Sequence, residues 1–399
     1  MQKYTLSLTA VLAASAAFAG TTEPKKPEAT EQSCLDKLWS YPVLYRNKDN
    51  PVLEEFVLTG RFQLDYFNVD SNKPDTKTTK GNDDFTEVRR FRLGIDSWWA
   101  DRHVQVKATV DTSLRSYSGT HTYATSVFYN RMTDLFVNFR LNDGLNFRVG
   151  KFEPHFGYDR EFSDNDQKFF ERGFFDEQVF NKTGNDYLSG VSLSGKIDNW
   201  GYQVAAFSDD VNKEFGLFHG GYSYLGEISY NFAKSMGADK ALWAFDYLHM
   251  DNQPRANVFN TMNNAAATYF DYKKGRFCVV TQLGYGNGSS LGAASKGDIY
   301  SVMVMPSYLI TDKLELITRY QYGTSSTPNG ISTLNRQQKI TGTSTGDTYN
   351  AGYVGLDYYV YGQKLKLMVG EEYAELTGGT GKGAGYKGWT TLVGFRLYW

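Results

Sequence analysis

From residue 55 to residue 399, apolar and polar side chains alternate in short segments separated by polar or glycine-rich turns, with no long helical period among them. A period of two belongs to extended chain, because successive side chains of a strand leave opposite faces. In EFVLTGRFQLDYFNV, Phe56, Leu58, Phe62, Leu64 and Tyr66 share one parity, and Thr59, Arg61, Gln63 and Asp65 the other. In HVQVKATVD, Val104, Val106, Ala108 and Val110 alternate with Gln105, Lys107, Thr109 and Asp111. At the end, Trp389, Thr391, Val393, Phe395, Leu397 and Trp399 alternate with Thr390, Leu392, Gly394, Arg396 and Tyr398. Such segments fall near 55–68, 86–98, 102–112, 133–141, 145–152, 187–197, 200–208, 222–233, 241–251, 264–273, 275–286, 298–310, 313–323, 350–361, 364–374 and 387–399, which makes 16. One strand with its turn takes about 22 residues, a repeat that suits a membrane β-barrel.

The connections alternate as well. Tight turns at 100–102, 141–144, 198–200, 273–275, 311–313 and 361–363 take turns with longer Ser-, Thr-, Gly- and Asn-rich stretches. Short turns on one side and long loops on the other are the asymmetry of an outer-membrane barrel. The two longest glycine- and threonine-rich stretches, 324–349 and 376–386, therefore read as external loops. A mean hydropathy of -0.47 is too polar for a bundle of membrane helices, yet it suits a barrel whose alternate side chains meet a wet lumen. Backbone groups at hydrocarbon depth must all be bonded, so spanning strands have to close on themselves. The apolar parity then faces lipid. Tyr66, Trp98, Trp99, Tyr123, Tyr358, Trp389 and Trp399 lie near segment ends, where aromatic rings suit the two interfaces.

The first residues, MQKYTLSLTAVLAASAAFAG, combine a lysine, an apolar stretch and the small-x-small site Ala17-Phe18-Ala19. Residues 1–19 read as a secretory signal peptide, 20–54 as a polar N-terminal arm and 55–399 as the barrel. Cys34 and Cys278 are the only two cysteines, and they read as unpaired thiols. Formal net charge is -2, which speaks against a general nucleic-acid binder. No P-loop, HExxH, CxxC or GxSxG pattern is present, so the chain reads as a non-enzyme without cofactor or metal.

Two runs carry a resemblance. TEVRRFRLGIDSWWADRHVQVKATVD at 86–111 and DLFVNFRLNDGLNFRVGKFEPHFGYDREF at 134–162 resemble strands of the phosphate-selective porin O and P family. The matching residues are Arg89, Arg90, Arg92 and Gly94, then Arg148, Gly150, Phe152, Phe156 and Gly157; His155 stands between Pro154 and Phe156, where the family phrase has Pro directly before Phe. The closing FRLYW is similar to an outer-membrane assembly signal. The resemblance implies a closed, antiparallel, all-β transmembrane barrel of 16 strands in a Gram-negative outer membrane. It implies a homotrimer, delivered to the bilayer by the assembly machinery. Its third external loop, here 153–186, would fold inward and narrow the lumen, and it would pass phosphate or other anions along basic residues.

Parity selects the candidates for solute contact. Arg61, Arg90, Arg92, Lys107, Arg140, Arg148, Lys366 and Arg396 fall on the polar sides of their segments. Within 153–186, Lys168, Arg172 and Lys182 are candidate constriction residues, opposed by Asp164, Asp166, Glu171, Asp176 and Glu177. Guanidinium offers a planar pair of donors to phosphate, and ammonium a point charge. The same cations can instead pair with Asp65, Asp96, Asp111 and Glu315, and the loop acids can fasten the loop to a basic wall. Phe169, Phe170, Phe174 and Phe175 are candidate anchors for that loop. The leading reading is a porin for passive diffusion of small hydrophilic solutes, with phosphate-like anions the class a basic lumen would favour. Two alternatives stand beside it: a structural or adhesive barrel with a filled lumen, and a secreted β-rich carbohydrate binder.

Overall fold

The computed structural model describes residues 33–72, 84–112, 129–142, 144–161, 165–180, 187–208, 214–215, 221–251, 262–288, 297–381 and 383–399. The proposed signal peptide, Tyr123, Asp164 and Lys182 lie outside the described residues. The described residues before Tyr41, 33–40, belong to a separate unit, in which Ser33 caps a short helix, Cys34–Leu38, through a reciprocal bond with Asp36. Cys34 and Cys278 are both free thiols.

From Tyr41 onward the chain is a second unit built around 16 antiparallel strands. They are β1 Leu53–Ser71, β2 Asp84–Trp99, β3 Val104–Thr112, β4 Tyr129–Asn142, β5 Leu145–Phe152, β6 Leu188–Ile197, β7 Trp200–Ser208 and β8 Tyr222–Asn231. Then follow β9 Lys240–Met250, β10 Met262–Lys274, β11 Phe277–Gly288, β12 Ile299–Leu309, β13 Leu314–Ser325, β14 Thr348–Tyr361, β15 Leu365–Thr377 and β16 Tyr386–Tyr398. Each pairs with its sequence neighbour, and β16 returns to β1 in register from Gly388↔Ser71 to Tyr398↔Arg61. The sheet is thus closed. Every one of the 16 segments expected from parity is a strand, within a few residues at its ends.

Closure separates two faces, and the sequence parity says which is which. In β16, Trp389 and Val393 are 55% and 44% exposed, while Leu392 and Arg396, of the other parity, are 0% and 4%. The exposed set is apolar along the other strands too, with Leu93, Val204, Leu283, Val354 and Leu367 pointing out. The buried set carries Asp65, Asp357, Lys366 and Glu372, so the inner face is the polar one. Short turns and long connections alternate around the barrel and define a short-turn rim and a long-loop rim.

One departure from strict alternation matters for function. Gln63 pairs with Arg90 but Leu64 with Val88, so Arg89 is an extra residue in β2. A bulge of this kind breaks the period of two, and Arg89 joins Arg90 and Arg92 on the inner side instead of facing lipid. A second departure lies in the connections. Two helical turns sit between β5 and β6, α1 Tyr158–Glu161 and α2 Phe174–Val179, and a third helix, α3 Asn335–Thr341, sits between β13 and β14.

The orientation of β16 can be tested directly. Val393→Asp (V393D) places a carboxylate on the outer face at a cost of about 2–4 kcal/mol near the bilayer midplane, while Val393→Leu adds only apolar surface. We expect the folded, heat-modifiable fraction in detergent to fall for the first variant and to hold for the second. Equal folding of the two would reverse the assignment of faces.

Candidate functional site

The inner wall holds polar groups at heights where the segment after β5 needs partners. The backbone N–H of Gly157 donates to Asp246 of β9 at 2.7 Å, that of Tyr158 to Gln282 of β11 at 2.7 Å, and that of Phe174 to Gln321 of β13 at 2.7 Å. Loop amides removed from water require such acceptors. Lys168 reaches the wall with Nζ, 2.6 Å from Glu315 Oε1 of β13 and 2.9 Å from Ser307 Oγ of β12. Lys366 of β15 donates to the carbonyl of Gln167, and Arg396 of β16 to that of Phe170 at 3.4 Å.

Four phenylalanines add the apolar part of the attachment. Phe169, Phe170, Phe174 and Phe175 are all at most 4% exposed. Phe174 stacks on Tyr349 of β14 with centroids 4.8 Å apart, Phe169 meets Tyr353 edge-on at 4.5 Å, and Phe170 meets Phe67 of β1 at 6.4 Å. Two glycines make room: a Cβ on Gly284 of β11 or Gly394 of β16 would lie 2.6 Å from the ring of Phe175 or Phe170. Within the segment, Arg160 pairs with Asp176 and with Glu153 at 2.8 Å, and Arg172 also pairs with Glu153.

The deepest charges form one chain. Glu171 lies 3.6 Å from Arg89 Nε of β2 and 3.3 Å from Arg336 Nη1 of α3. Arg336 also pairs with Glu372 of β15, which lies 3.7 Å from Arg319 of β13. Both carboxylates and the guanidiniums of Arg319 and Arg336 are 0–1% exposed. Burial pushes the Glu171 carboxyl up, but Arg89, Lys339 and Arg336 outweigh it and hold it at about 2. Removing one partner from such a group leaves a buried charge alone, which costs about 3–5 kcal/mol.

The basic residues chosen by parity separate into three groups. Around β1, β2 and β16, Arg90 donates to Gln63 at 2.8 Å, Arg92 to Tyr187 at 2.7 Å, and Arg396 to Asp65; Arg61 lies opposite Arg92 in the ladder and is half-buried. On β3 to β5, Lys107 is 3.9 Å from Asp134 and Arg148 lies over the Phe136 ring at 4.4 Å, while Arg140 is exposed near the short-turn rim. Lys168 and Lys366 meet at the β13–β15 wall, and Arg172 is held inside its own segment. The ten residues therefore do not form one ladder. Arg89, Arg319, Arg336 and Lys339 were missed. Arg319 lies on the polar parity of its strand and was legible. Arg89 is hidden by the bulge, and nothing in the alternation speaks for residues of a loop.

The expectation that 324–349 is simply an external loop needs correction. Its helix α3 bonds to inner-face carboxylates: Arg336 to Glu372, and Lys339 to both oxygens of Glu87 of β2 at 2.6 Å. Glycine and threonine content suggests a solvated loop, whereas Arg336 and Lys339 find acids on the wall.

Two adjoining cavities remain beside this packing. One, of about 190 Å³, is lined by Asp166, Lys168, Lys240, Asp271 and Arg319 among others. The other, of about 480 Å³, opens toward the short-turn rim and is lined by Lys273, Arg276, Asp312, Lys313, Glu315 and Tyr359 among others. Both include Lys168, Lys273 and Cys278.

Residues 56–241 match the family model described as phosphate-selective porin O and P. No curated protein matches by sequence. Among solved structures, the chain is similar to OprB of Pseudomonas putida, with 11% identity, 86% of this chain and 94% of that one covered, and a TM-score of 0.59. It is also similar to the outer membrane channel DcaP of Acinetobacter baumannii, with 14% identity, coverages of 89% and 100%, and a TM-score of 0.54. OmpT of Vibrio cholerae follows with 12% identity, coverages of 86% and 98%, and a TM-score of 0.53. At such identities these structures speak for the shared barrel fold.

Two groups of the segment titrate in opposite senses. Burial, Glu227 and Asp246 raise the Glu161 carboxyl from 4.5 to about 8, against Lys240 and Lys196. Burial, Arg148, Lys107 and Arg160 lower His155 from 6.5 to about 4. The folded state thus binds more protons than the unfolded state at Glu161 and fewer at His155. Below 6.5 the two oppose each other; from there to about 8, Glu161 dominates and stability falls as pH rises. We expect thermal unfolding in detergent to show this slope in the wild-type protein and to lose it in Glu161→Gln. An unchanged slope in that variant would assign the effect elsewhere.

Proposed function

We propose that this chain, whose residues 56–241 match the model of the phosphate-selective porin O and P family, is a member of that family and an outer-membrane porin for passive diffusion in which a small set of short-turn-side cations sets the preference for anions. The observation that carries the channel reading is the closure of β16 on β1 around a polar inner face. Residues 1–19 direct export and are removed, and three copies assemble in the outer membrane with the help of the barrel-assembly machinery. Segment 153–186 is the constriction. Its support is the set of bonds from 157–174 to inner-face residues of β9, β11, β12 and β13.

The anion preference is read from the larger cavity. Lys168, Lys273, Arg276 and Lys313 line it against Asp312 and Glu315. Arg276 is paired with Asp312 at 3.0 Å and Lys168 with Glu315 at 2.6 Å. Lys273 and Lys313 have no carboxylate within ion-pair distance among the described residues, and both are exposed. A pair of unmatched ammonium groups in a confined mouth raises the local anion concentration. Arg90, Arg92, Arg396 and Lys366 hold the wall and the loop, and Arg172 braces the loop against Glu153. This differs from a phosphate ladder in which each guanidinium meets the solute.

A filled barrel is the second reading, and the two inner-face-bonded segments, 153–180 and 326–347, favour it. Ion conductance in a planar bilayer separates the two. We expect measurable single-channel conductance and a reversal potential on the anion side under a salt gradient. Changing Lys273 and Lys313 together to Glu should move the permeability ratio toward cations by about threefold or more, with conductance retained. A folded variant with the wild-type reversal potential would remove these lysines from the path, and absence of conductance in the wild-type protein would favour the filled barrel.

A further inference from the structure

The helix in the connection between β13 and β14 is fastened on three sides. On the wall, Arg336 pairs with Glu372 of β15, and Lys339 donates to both carboxylate oxygens of Glu87 of β2. In the sheet, β16 and β1 lie between those two strands, so α3 spans the inner face across the closing seam. Toward the segment after β5, the backbone N–H of Asn335 donates to Glu177 at 2.8 Å. Gln178 and Ser332 exchange two bonds, at 3.1 and 3.3 Å. Leu334 at the N-cap of the helix and Ile340 within it are 0% and 1% exposed. A loop that only roofed the barrel would have no need of a guanidinium with zero exposure between two carboxylates.

We propose that residues 326–347 form a second gate, which closes the β14-to-β2 side of the lumen from the long-loop rim, and that Arg336 is its latch. This inference rests on the channel reading above. Arg336 suits the task because its two ends hold different bodies: Glu372 belongs to the barrel wall, and Glu171 to the segment that crosses from β5. Withdrawing α3 therefore unfastens both the wall and the first constriction. The cavities described above are lined by residues of β9 to β14, of the short turns beside them and of the segment after β5, and neither includes a residue of 326–347. In the latched state solute is accordingly steered away from the β16–β1 seam. Release of the latch adds cross-section there.

Two variants of the full-length protein test this. Arg336→Met combined with Glu372→Gln removes both charges of the latch pair, leaves Glu171 with Arg89 and keeps an amide oxygen beside Arg319, which costs less than removing one charge alone; a second variant replaces 333–343 by a short glycine-serine linker. Heat-modifiable mobility is checked first, then single-channel conductance and open-channel noise are recorded in planar bilayers. We expect conductance to rise by about 1.5-fold or more in the double variant and further in the shortened one. If the wild-type protein is silent and either variant conducts, the latch is the occluding element and the proposal holds. Folded variants that both keep wild-type conductance and noise overturn the gate while leaving the channel reading intact. If wild-type and variant proteins are all silent, the channel reading fails and the gate with it.

Discussion

The seam between β16 and β1 carries the fold, because a sheet in hydrocarbon has no other way to satisfy its edges. The two strands do not end together. β1 begins at Leu53, but β16 reaches only as far as Arg61 in the ladder. Gly60 and Trp399 then exchange backbone bonds at 3.1 and 3.0 Å. Beyond them the free edge of β1 would be exposed. The short strand Val43–Arg46 takes that place, with Val43 opposite Val57, Tyr45 opposite Phe56 and Arg46 opposite Glu55. The arm thus extends the closing ladder beyond the last residue of the chain. Arg46 and Arg102 converge on Glu55 and fix this extension at the rim.

Much of this was legible because one physical rule acts on every strand alike. Lipid outside and polar groups inside impose a period of two, and turns of two kinds impose the rim asymmetry, so strand number, order and facing follow from the alternation. What was not legible obeys no period. Arg89 shifts faces through a single inserted residue, and its inward position is visible only in the register of β1 against β2. The connection 326–347 looked solvated because glycine and threonine are common in it, yet two basic side chains decide its course. The four phenylalanines of the segment after β5 were legible as anchors because so many rings in a hydrophilic interval require cover. Which strand each one meets was not, since that depends on where the wall has glycine.

The charge balance of the chain has a structural meaning. A formal net charge of -2 from 42 basic and 44 acidic residues does not by itself locate any field. Inside the barrel, however, arginines have acids at hand: Arg396 with Asp65, Arg92 near Asp111, Arg336 and Arg319 with Glu372. Pairing at such depth offsets the cost of burying either ion, and it consumes the positive potential an anion would sense. Basic residues among those described are therefore of two kinds. Those deep in the wall are structural because their partners are fixed. Those near the short-turn rim, Lys273 and Lys313 among them, are exposed, and in the proposed channel they add to the potential at the mouth.

This division bears on how the segment after β5 is held. Aromatic contacts and backbone bonds to Asp246, Gln282 and Gln321 attach it along β9 to β14, and the Glu171 pairs attach it to β2 and α3. The first set joins aromatic contacts to hydrogen bonds from backbone amides, so ionic strength affects it little. The second is ionic but buried, so salt screens it little. A segment fixed by both kinds of bond keeps its position when the charges at the mouth are screened. In the channel proposed above, pore width and charge preference are then assigned to different residues, width to the buried contacts and preference to the exposed lysines, so that either could change without the other.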